Sequence, residues 1–155
     1  MKRIEQLQNL SREHHQSLIL SQQAIKISQA NDAQAIAEFC KEIVHDYPEV
    51  WKIHFKIEED SIFQLFSDQE HADLSEAKQY TEISNLCHIL KQEHQTMNDY
   101  YERMKKGDYS ILGVFGSLLK EHTRTEERQL FPLLEDVMTP EELNKIYQVS
   151  QDYRK

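Results

Sequence analysis

Apolar residues recur at helical spacing along most of the chain, in four long stretches separated by short polar segments. In the third stretch they follow one another at intervals of three or four residues from Ile83 to Met104, and one histidine, His94, lies in the same line. This spacing puts the side chains on one face of an α-helix, because successive helical residues turn by about 100°. The pattern predicts four long helices that pack through their apolar faces.

Polar segments indicate where the first two helices end. The first helix is predicted from about residue 3 to 29 and stops at the segment QANDA, where Asn31 or Asp32 can accept the free amide hydrogens of the second helix. The second helix runs toward Phe66. Because its proline lacks an amide hydrogen and clashes with the preceding turn, we expect a kink or a short break over residues 45–48.

The second pair of helices is bounded in a similar way. A capping box of Asp73 with Glu76 is predicted to open the third helix. This helix continues to Gly107, a residue suited to a left-handed helix end. The fourth helix is predicted over about residues 111–136.

A short fifth helix is predicted after these four. Thr139 can cap it, Pro140 suits its first position and Glu142 can complete a capping box. With only three glycines and three prolines in 155 residues, the chain has little turn material for a many-stranded sheet. The sequence therefore predicts an all-α fold, an up-down-up-down antiparallel four-helix bundle with a short C-terminal fifth helix, in a single domain over residues 1–155.

Charge and hydropathy narrow the classes of function. A net charge of -9 argues against binding to nucleic acid or to an anionic membrane, because both favour a positive protein surface. No stretch approaches the roughly 18 consecutive apolar residues of a membrane span, and the segment MKRIEQLQNL lacks the apolar core of a signal peptide. We therefore expect a cytoplasmic protein. Cys40 and Cys87, far apart in sequence, are expected to be reduced core residues.

Two distant segments carry the same motif. HFKIEEDSIFQLF at residues 54–66 aligns with HTRTEERQLFPLL at residues 122–134, and each begins with His-x-x-x-Glu-Glu before an apolar stretch. Helical residues four apart lie one above the other, with β-carbons roughly 6 Å apart. A histidine and a carboxylate placed in this way can bind one metal ion, or two ions when the carboxylate bridges. The pairs are His54 with Glu58 and His122 with Glu126.

The other two helices contain a second repeat. LSREHHQ at residues 10–16 aligns with LKQEHQT at residues 90–96, which matches two Leu-x-x-Glu-His motifs. The chain is thus two helical hairpins of one kind, and a pseudo-twofold arrangement would bring four histidines and two glutamates to one centre. The histidines of this second repeat are His14 and His94.

The residue types bear on the identity of the metal. Imidazole with carboxylate suits iron, manganese or zinc, and six ligands with bridging carboxylates favour a pair of irons over a four-coordinate structural zinc. Manganese or zinc stays possible. A lone histidine on an apolar face is more often a hydrogen-bonded core residue, so the contrasting interpretation is a metal-free helical interaction protein.

The motifs REHH, HFKIEE, KQEH and HTRTEERQLFP resemble those of the hemerythrin-like HHE domains, from about Leu10 to Leu134. This resemblance implies a four-helix bundle around a non-haem di-iron centre with a bridging oxo or hydroxo group. It also implies that the two glutamates bridge the irons. The ligands implied by the resemblance are His14, His54, Glu58, His94, His122 and Glu126.

The chain departs from the oxygen-carrying hemerythrins at two places. Those proteins place two histidines four residues apart on the third helix, whereas the neighbours of His94 at this spacing are Leu90 and Asn98. They also place an aspartate five residues after the last histidine, whereas here Glu126 follows His122 by four. The chain looks closer to the bacterial HHE branch, which includes proteins implicated in nitric oxide response and in repair of damaged iron centres.

For function, the resemblance implies a di-iron protein that binds or senses O2 or NO, with roughly five ligands on each iron and one open position. The alternative is a di-iron enzyme that detoxifies NO or peroxide or repairs iron-sulfur clusters. The sequence does not decide whether the protein is an enzyme. A protein partner and the oligomeric state are likewise left open.

Several further polar residues are candidates near the centre. His15 is an alternative to His14, because a modest rotation of the first helix would exchange them. Glu59 and Glu127 are expected to be solvated or to bond to a neighbouring group rather than to bind metal. Glu13 and Glu93 either orient an imidazole or, as we favour, face solvent. The remaining histidines, expected to lie outside the centre, are His45, His71 and His88.

Overall fold

The computed structural model describes residues 3–67 and 77–154, and within these ranges the regular structure is helical, with no strand. The all-α prediction is confirmed. His71 and the capping box of Asp73 with Glu76 lie outside the described residues. In chain order the elements are α1 (Glu5–Ala30), α2 (Ala33–Asp46), α3 (Trp51–Glu58), π1 (Glu59–Phe63), α4 (Gln64–Ser67), α5 (Ala77–Lys105), α6 (Leu112–Thr125), π2 (Glu126–Leu130), α7 (Phe131–Val137) and α8 (Pro140–Tyr153).

These elements form the predicted four-helix bundle. The first arm is α1, the second runs from α2 to α4, the third is α5, and the fourth runs from α6 to α7; α1 packs against α6, and α5 packs against both α2 and α6. The fifth helix, α8, lies against α1, α3 and π1. It has 14 residues, so it is longer than the short helix expected. None of the described helices has the length and apolar character that crossing a membrane requires.

The helix boundaries follow the local signals in the sequence. Asn31 ends α1 in the left-handed region with φ 59°, and the Asp32 side chain then accepts hydrogen bonds from two backbone amides at the start of α2. The second arm breaks at a turn over residues 47–50, which contains Pro48. Gly107, with φ 93°, follows the end of α5. Each of these boundaries was predicted.

The capping box of α8 also forms as predicted. The amide of Glu142 donates to the Thr139 hydroxyl at 3.2 Å, and the amide of Thr139 donates to the Glu142 carboxylate at 2.9 Å. Two otherwise free donors at the helix start are satisfied in this way, and Pro140 occupies the first turn.

Small residues allow α1 and α6 to approach closely. A β-carbon added at Gly116 would lie 2.9 Å from the β-carbon of Ala24 and 3.0 Å from the carbonyl oxygen of Ser21. One added at Gly113 would lie 2.7 Å from the hydroxyl oxygen of Ser28. The backbones of the two helices therefore touch, which brings the histidine-bearing parts of both helices together.

The apolar core divides into two clusters, one on each side of a buried polar layer. On α1, for example, His14 lies between Leu10 of one cluster and Ala24 of the other, and on α5 His94 lies between Leu90 and Met97 in the same way. Cys40 and Cys87 are buried and unbonded, one in each cluster, as expected of reduced core residues. The polar layer is thus enclosed by apolar packing above and below.

Candidate metal centre

Six polar side chains meet in the layer between the two apolar clusters. Four different arms of the bundle contribute an imidazole, and the second and fourth arms each add a carboxylate one turn later. Every one of these residues is at most 4% exposed. They are the six side chains singled out in the sequence, namely His14, His54, Glu58, His94, His122 and Glu126.

The six side chains form two overlapping groups. The first group contains His14 and His54, the second contains His94 and His122, and both contain Glu58 and Glu126. Within each group one ligand atom from every member lies within 4.8 Å of the others. We refer to Glu58 and Glu126 as the shared glutamates, because each belongs to both groups.

Glu58 turns its two oxygens toward different groups. Its Oε2 lies 3.3 Å from His14 Nε2 and 3.4 Å from His54 Nε2. Its Oε1 lies 3.1 Å from His94 Nε2. A carboxylate in this orientation can bridge two cations, one at each oxygen.

Glu126 is a buried carboxylate to which no group of the described residues donates a hydrogen bond. Its Oε1 lies 3.2 Å from His14 Nε2 and 3.1 Å from His122 Nε2, yet neither oxygen makes a hydrogen bond of acceptable geometry. The residue is fully buried. A buried carboxylate without donors costs considerable free energy unless a cation or another polar group compensates it.

The two imidazoles of the second group support the same conclusion. His94 Nε2 and His122 Nε2 face each other at 3.1 Å. If both ring protons lie on the Nδ1 atoms, two lone pairs meet here, and this arrangement is repulsive without a cation. The donor set of imidazole nitrogens and carboxylate oxygens therefore fits divalent metal ions.

A second layer of glutamates faces the Nδ1 atoms. Three of these glutamates hydrogen-bond to an imidazole, whereas His54 Nδ1 makes no hydrogen bond within the described part of the chain. Each imidazole has one carboxylate next to its Nδ1 atom, and we call these four residues the outer carboxylates. A carboxylate at Nδ1 holds the ring in place and leaves Nε2 free to bind a metal. The pairs are His14 with Glu127 at 2.9 Å, His54 with Glu13 at 3.4 Å, His94 with Glu59 at 3.0 Å and His122 with Glu93 at 2.9 Å.

The outer carboxylates lie at equivalent positions of the two sequence repeats. Glu13 and Glu93 are equivalent positions of the Leu-x-x-Glu-His motif, and Glu59 and Glu127 are equivalent positions of the His-x-x-x-Glu-Glu motif. All four are partly exposed, with 23–28% of the side chain accessible. For Glu13 and Glu93 the structure favours contact with an imidazole over the solvent-facing orientation that we preferred from the sequence.

A family model of the hemerythrin HHE cation-binding domain matches residues 5–134. The chain belongs to this family. The match includes both groups and all four outer carboxylates of the HHE domain, and it ends before α8. Neither the curated proteins nor the solved structures compared with the chain gave a match.

Two π-helical segments in this HHE domain were not anticipated from the sequence. π1 begins directly after Glu58 and π2 begins at Glu126, so their places in the repeat differ by one residue. π-helical turns are rare and occur frequently at functional sites. They keep the side chains after each shared glutamate facing the core.

The spacing of the buried residues reflects these segments. In an α-helix, residues four apart drift by about 40°, so three such steps accumulate about 120°. Buried residues nevertheless recur at a strict spacing of four in both arms, at His54, Glu58, Ile62 and Phe66 and again at His122, Glu126, Leu130 and Leu134. The wider π-helical turn cancels the drift and keeps all of these side chains facing the core.

Three other histidines of the described residues lie away from the centre of the HHE domain. His14 is buried, whereas the adjacent His15 is exposed, so α1 directs His14 into the polar layer. His45 is 88% exposed and lies beside Asp46. His88 is exposed on α5.

In the metal-free protein, the shared glutamates favour the protonated, positively charged form of the neighbouring imidazoles. Burial lowers the pKa of His122, but the nearby Glu126 carboxylate outweighs burial and raises it to about 10. Burial likewise lowers the pKa of His54, and Glu58 raises it to about 9. Metal binding must therefore displace protons from these rings.

Proposed function

We propose that this HHE domain holds two metal ions, an iron pair, and that the pair binds or senses a small diatomic molecule, O2 or NO. The observation that carries the proposal is that both shared glutamates belong to both buried groups. Two groups of four ligands that share two carboxylates suit two neighbouring cations better than one. The proposed ligands are His14, His54, Glu58, His94, His122 and Glu126.

Each residue then has a distinct task. The shared glutamates would span the two ions, the imidazoles would bind through Nε2, and the outer carboxylates would hold the rings in position. A bound iron pair would supply a change of oxidation state and an open position for a diatomic molecule. Manganese and zinc accept the same donors, so metal analysis has to decide between them.

Aromatic rings limit the access of water to the centre. Phe55 stacks on His94 with ring centroids 4.1 Å apart, and Phe63 lies 5.3 Å from the same imidazole. On the other side, Phe131 stacks on His14 at 5.2 Å. An apolar surround of this kind suits a small neutral molecule and limits contact with bulk water.

A surface pocket supplies a route for such a molecule. The pocket has a volume of about 530 Å³, and Phe55, Glu59 and His94 form part of its lining. It therefore reaches the outer edge of the second group.

Metal analysis tests the proposal directly. Protein produced with added iron should contain close to two irons per chain and should absorb in the near ultraviolet. His14→Ala should lose at least one iron per chain, whereas the matched variant His15→Ala should retain both, because only His14 lies in the buried layer. Iron-replete protein with neither metal nor the absorption band would refute the proposal.

The reaction of the protein with O2 and NO tests the proposal that the iron pair binds or senses a diatomic molecule. With no further histidine at Leu90 or Asn98, both ions should keep room for a ligand, so we expect rapid oxidation of the reduced protein by O2 and binding of NO at both ions. Stopped-flow absorption under controlled gas measures both. An oxygen adduct that lasts for hours and disappears when O2 is removed would instead identify a reversible oxygen carrier.

A further inference from the structure

The two groups differ in what surrounds their outer carboxylates. In the first group, Glu127 pairs with Arg3 and Glu13 pairs with Arg154. In the second group, no lysine or arginine in the part of the chain that the structure describes lies within ion-pair distance of Glu59 or Glu93. The outer carboxylates thus follow the sequence repeat, whereas the arginines that pair with them occur only beside the first group.

Arg3 reaches the first group from the N-terminal end of α1. Its Nη2 donates to Glu127 Oε2 at 3.0 Å, while Glu127 Oε1 faces His14. Its Nη1 donates to Glu135 at 2.6 Å. The guanidinium is therefore shared between two carboxylates, only one of which contacts an imidazole.

Arg154 reaches the same group from the end of α8, beyond the part of the chain that the family model matches. It donates to Oε1 of Glu13, the oxygen that also faces His54 Nδ1. The distance from that oxygen to His54 Nδ1, 3.4 Å, is longer than the 2.9–3.0 Å of the other three pairs. Arg154 thus competes with His54 for the same oxygen.

These contacts leave unequal charge beside the two groups. Around the first group, its two outer carboxylates and Glu135 face two arginines, which leaves one net negative charge. Around the second group, two carboxylates without arginine leave two. An uncompensated carboxylate at Nδ1 makes an imidazole a stronger donor to a metal, and an arginine on that carboxylate weakens this effect.

We propose that the two metal positions are unequal: the second group binds a divalent cation more tightly and fills first, and Arg3 and Arg154 weaken the first group. This inference rests on the proposed two-metal function. The pocket that reaches His94 lies on the same side, so the tighter position is also the one nearer the surface opening. The C-terminal helix thereby adjusts a centre to which it contributes no ligand.

The test is a titration of the metal-free full-length protein with Co²⁺, followed by visible absorption and by calorimetry. We expect two binding steps whose dissociation constants differ by about tenfold or more. His122→Ala should abolish the tighter step, and His54→Ala should abolish the weaker one. Far-ultraviolet circular dichroism of each variant checks that it is folded.

Charge variants identify the cause of the difference. Arg154→Gln and Arg3→Gln keep a hydrogen-bond donor but remove the charge, so each should strengthen the weaker step several-fold and leave the tighter step unchanged. Arg154→Lys should preserve the difference. Arg103→Gln is the matched control, because Arg103 pairs with Asp108 and not with an outer carboxylate.

The outcomes separate this inference from the proposed function. Two steps of equal affinity would overturn the inequality, and a difference unchanged in both glutamine variants would overturn its assignment to Arg3 and Arg154. Either outcome leaves the two-metal centre intact. Failure of the wild-type protein to bind any Co²⁺ would remove the proposed function itself.

Discussion

The two hairpins of the bundle carry the same types of buried metal-ligand residues, but their helices differ in continuity and in what covers them. In the first hairpin, the second arm breaks at residues 47–50 and is covered by α8. In the second hairpin, α6 runs without a break from Leu112 to Thr125. Both arms nevertheless place a histidine, a shared glutamate and a π segment in the same order. The requirement for a metal centre is local to about two turns, and the helix around it can vary.

The two hairpins become less alike with increasing distance from the candidate metal centre. The six inner side chains and the four outer carboxylates follow the pseudo-twofold repeat, whereas the arginines behind them do not. The six inner side chains would determine whether metal binds. The outer carboxylates and their arginine partners would determine the affinity. Substitutions at equivalent positions of the two hairpins test this division.

The largest effect is expected at the shared glutamates. Glu58→Gln and Glu126→Gln should each reduce the affinity for both ions by at least about 100-fold, because each carboxylate belongs to both groups. Metal content after gel filtration, measured by emission spectrometry, checks this. Here the hairpins should behave alike. Retention of one full equivalent of metal by either variant would show that the glutamate serves only one group.

A smaller and unequal effect is expected at the outer carboxylates. Glu93→Gln should weaken the second group by about 10- to 100-fold, the usual range for such partners. Glu13→Gln, at the equivalent position, should weaken the first group less, because Arg154 already occupies the same Glu13 oxygen. Competition with a chromophoric chelator measures both variants. Equal losses would mean that Arg154 has no influence on His54.

The inner part of this arrangement follows from short sequence spacings. A histidine and a carboxylate four apart must lie on one helical face, and the hairpin repeat is visible by aligning the chain with itself. The choice of His14 over His15 rested on the same alignment. Helix caps at Asp32 and Thr139 were predictable because they depend on neighbouring amides.

The remaining features depend on tertiary contacts. Arg3 and Glu127 are separated by 124 residues, and Arg154 and Glu13 by 141, so no local pattern relates them. The orientation of Glu93 also could not be settled, because its side chain lies at the edge of the helix face, where burial depends on packing. The π segments left a trace in the spacing of buried residues, but that trace becomes readable only when burial is known.

The contact between α1 and α6 offers a third test, in which the effect is on stability. Gly116→Ala would place a methyl group 2.9 Å from the Ala24 β-carbon and 3.0 Å from the backbone of Ser21, so we expect a loss of about 1–3 kcal/mol in unfolding free energy. Urea denaturation of the metal-free protein measures it.

The matched variant is Gly107→Ala at the open turn between α5 and α6. It meets no atom within 4 Å but must adopt a positive φ, which costs about 1–2 kcal/mol. Gly116→Ala should also lower metal affinity, because α1 and α6 carry His14 and His122, whereas Gly107→Ala should not. Unchanged metal binding in Gly116→Ala would show that helix spacing and ligand placement are independent.

The smallest expected difference between the hairpins is in how the metal-free protein responds to pH. Burial lowers the pKa of His54 and His122, but Glu58 and Glu126 outweigh it and raise the values to about 9 and about 10. Both folded values lie above about 6.5, the value for an unfolded histidine. The protonated rings therefore stabilise the fold fully below about pH 6.5, and this contribution is lost as pH rises through 9 and 10.

The melting temperature of the metal-free protein should accordingly fall between pH 7 and 10. Because the buried thiols and Tyr47 add to any loss at the alkaline end, proton NMR of the imidazoles is the decisive measurement, and His54 and His122 should deprotonate near pH 9 and pH 10, well above the usual value of about 6.5. Metal-loaded protein is the control, since its rings carry no proton at Nε2 and should not titrate in this range. Coincident titration of the two rings near pH 6.5 would mean that the shared glutamates are not charged, and that the two carboxylates do not act on the imidazoles as their distances imply.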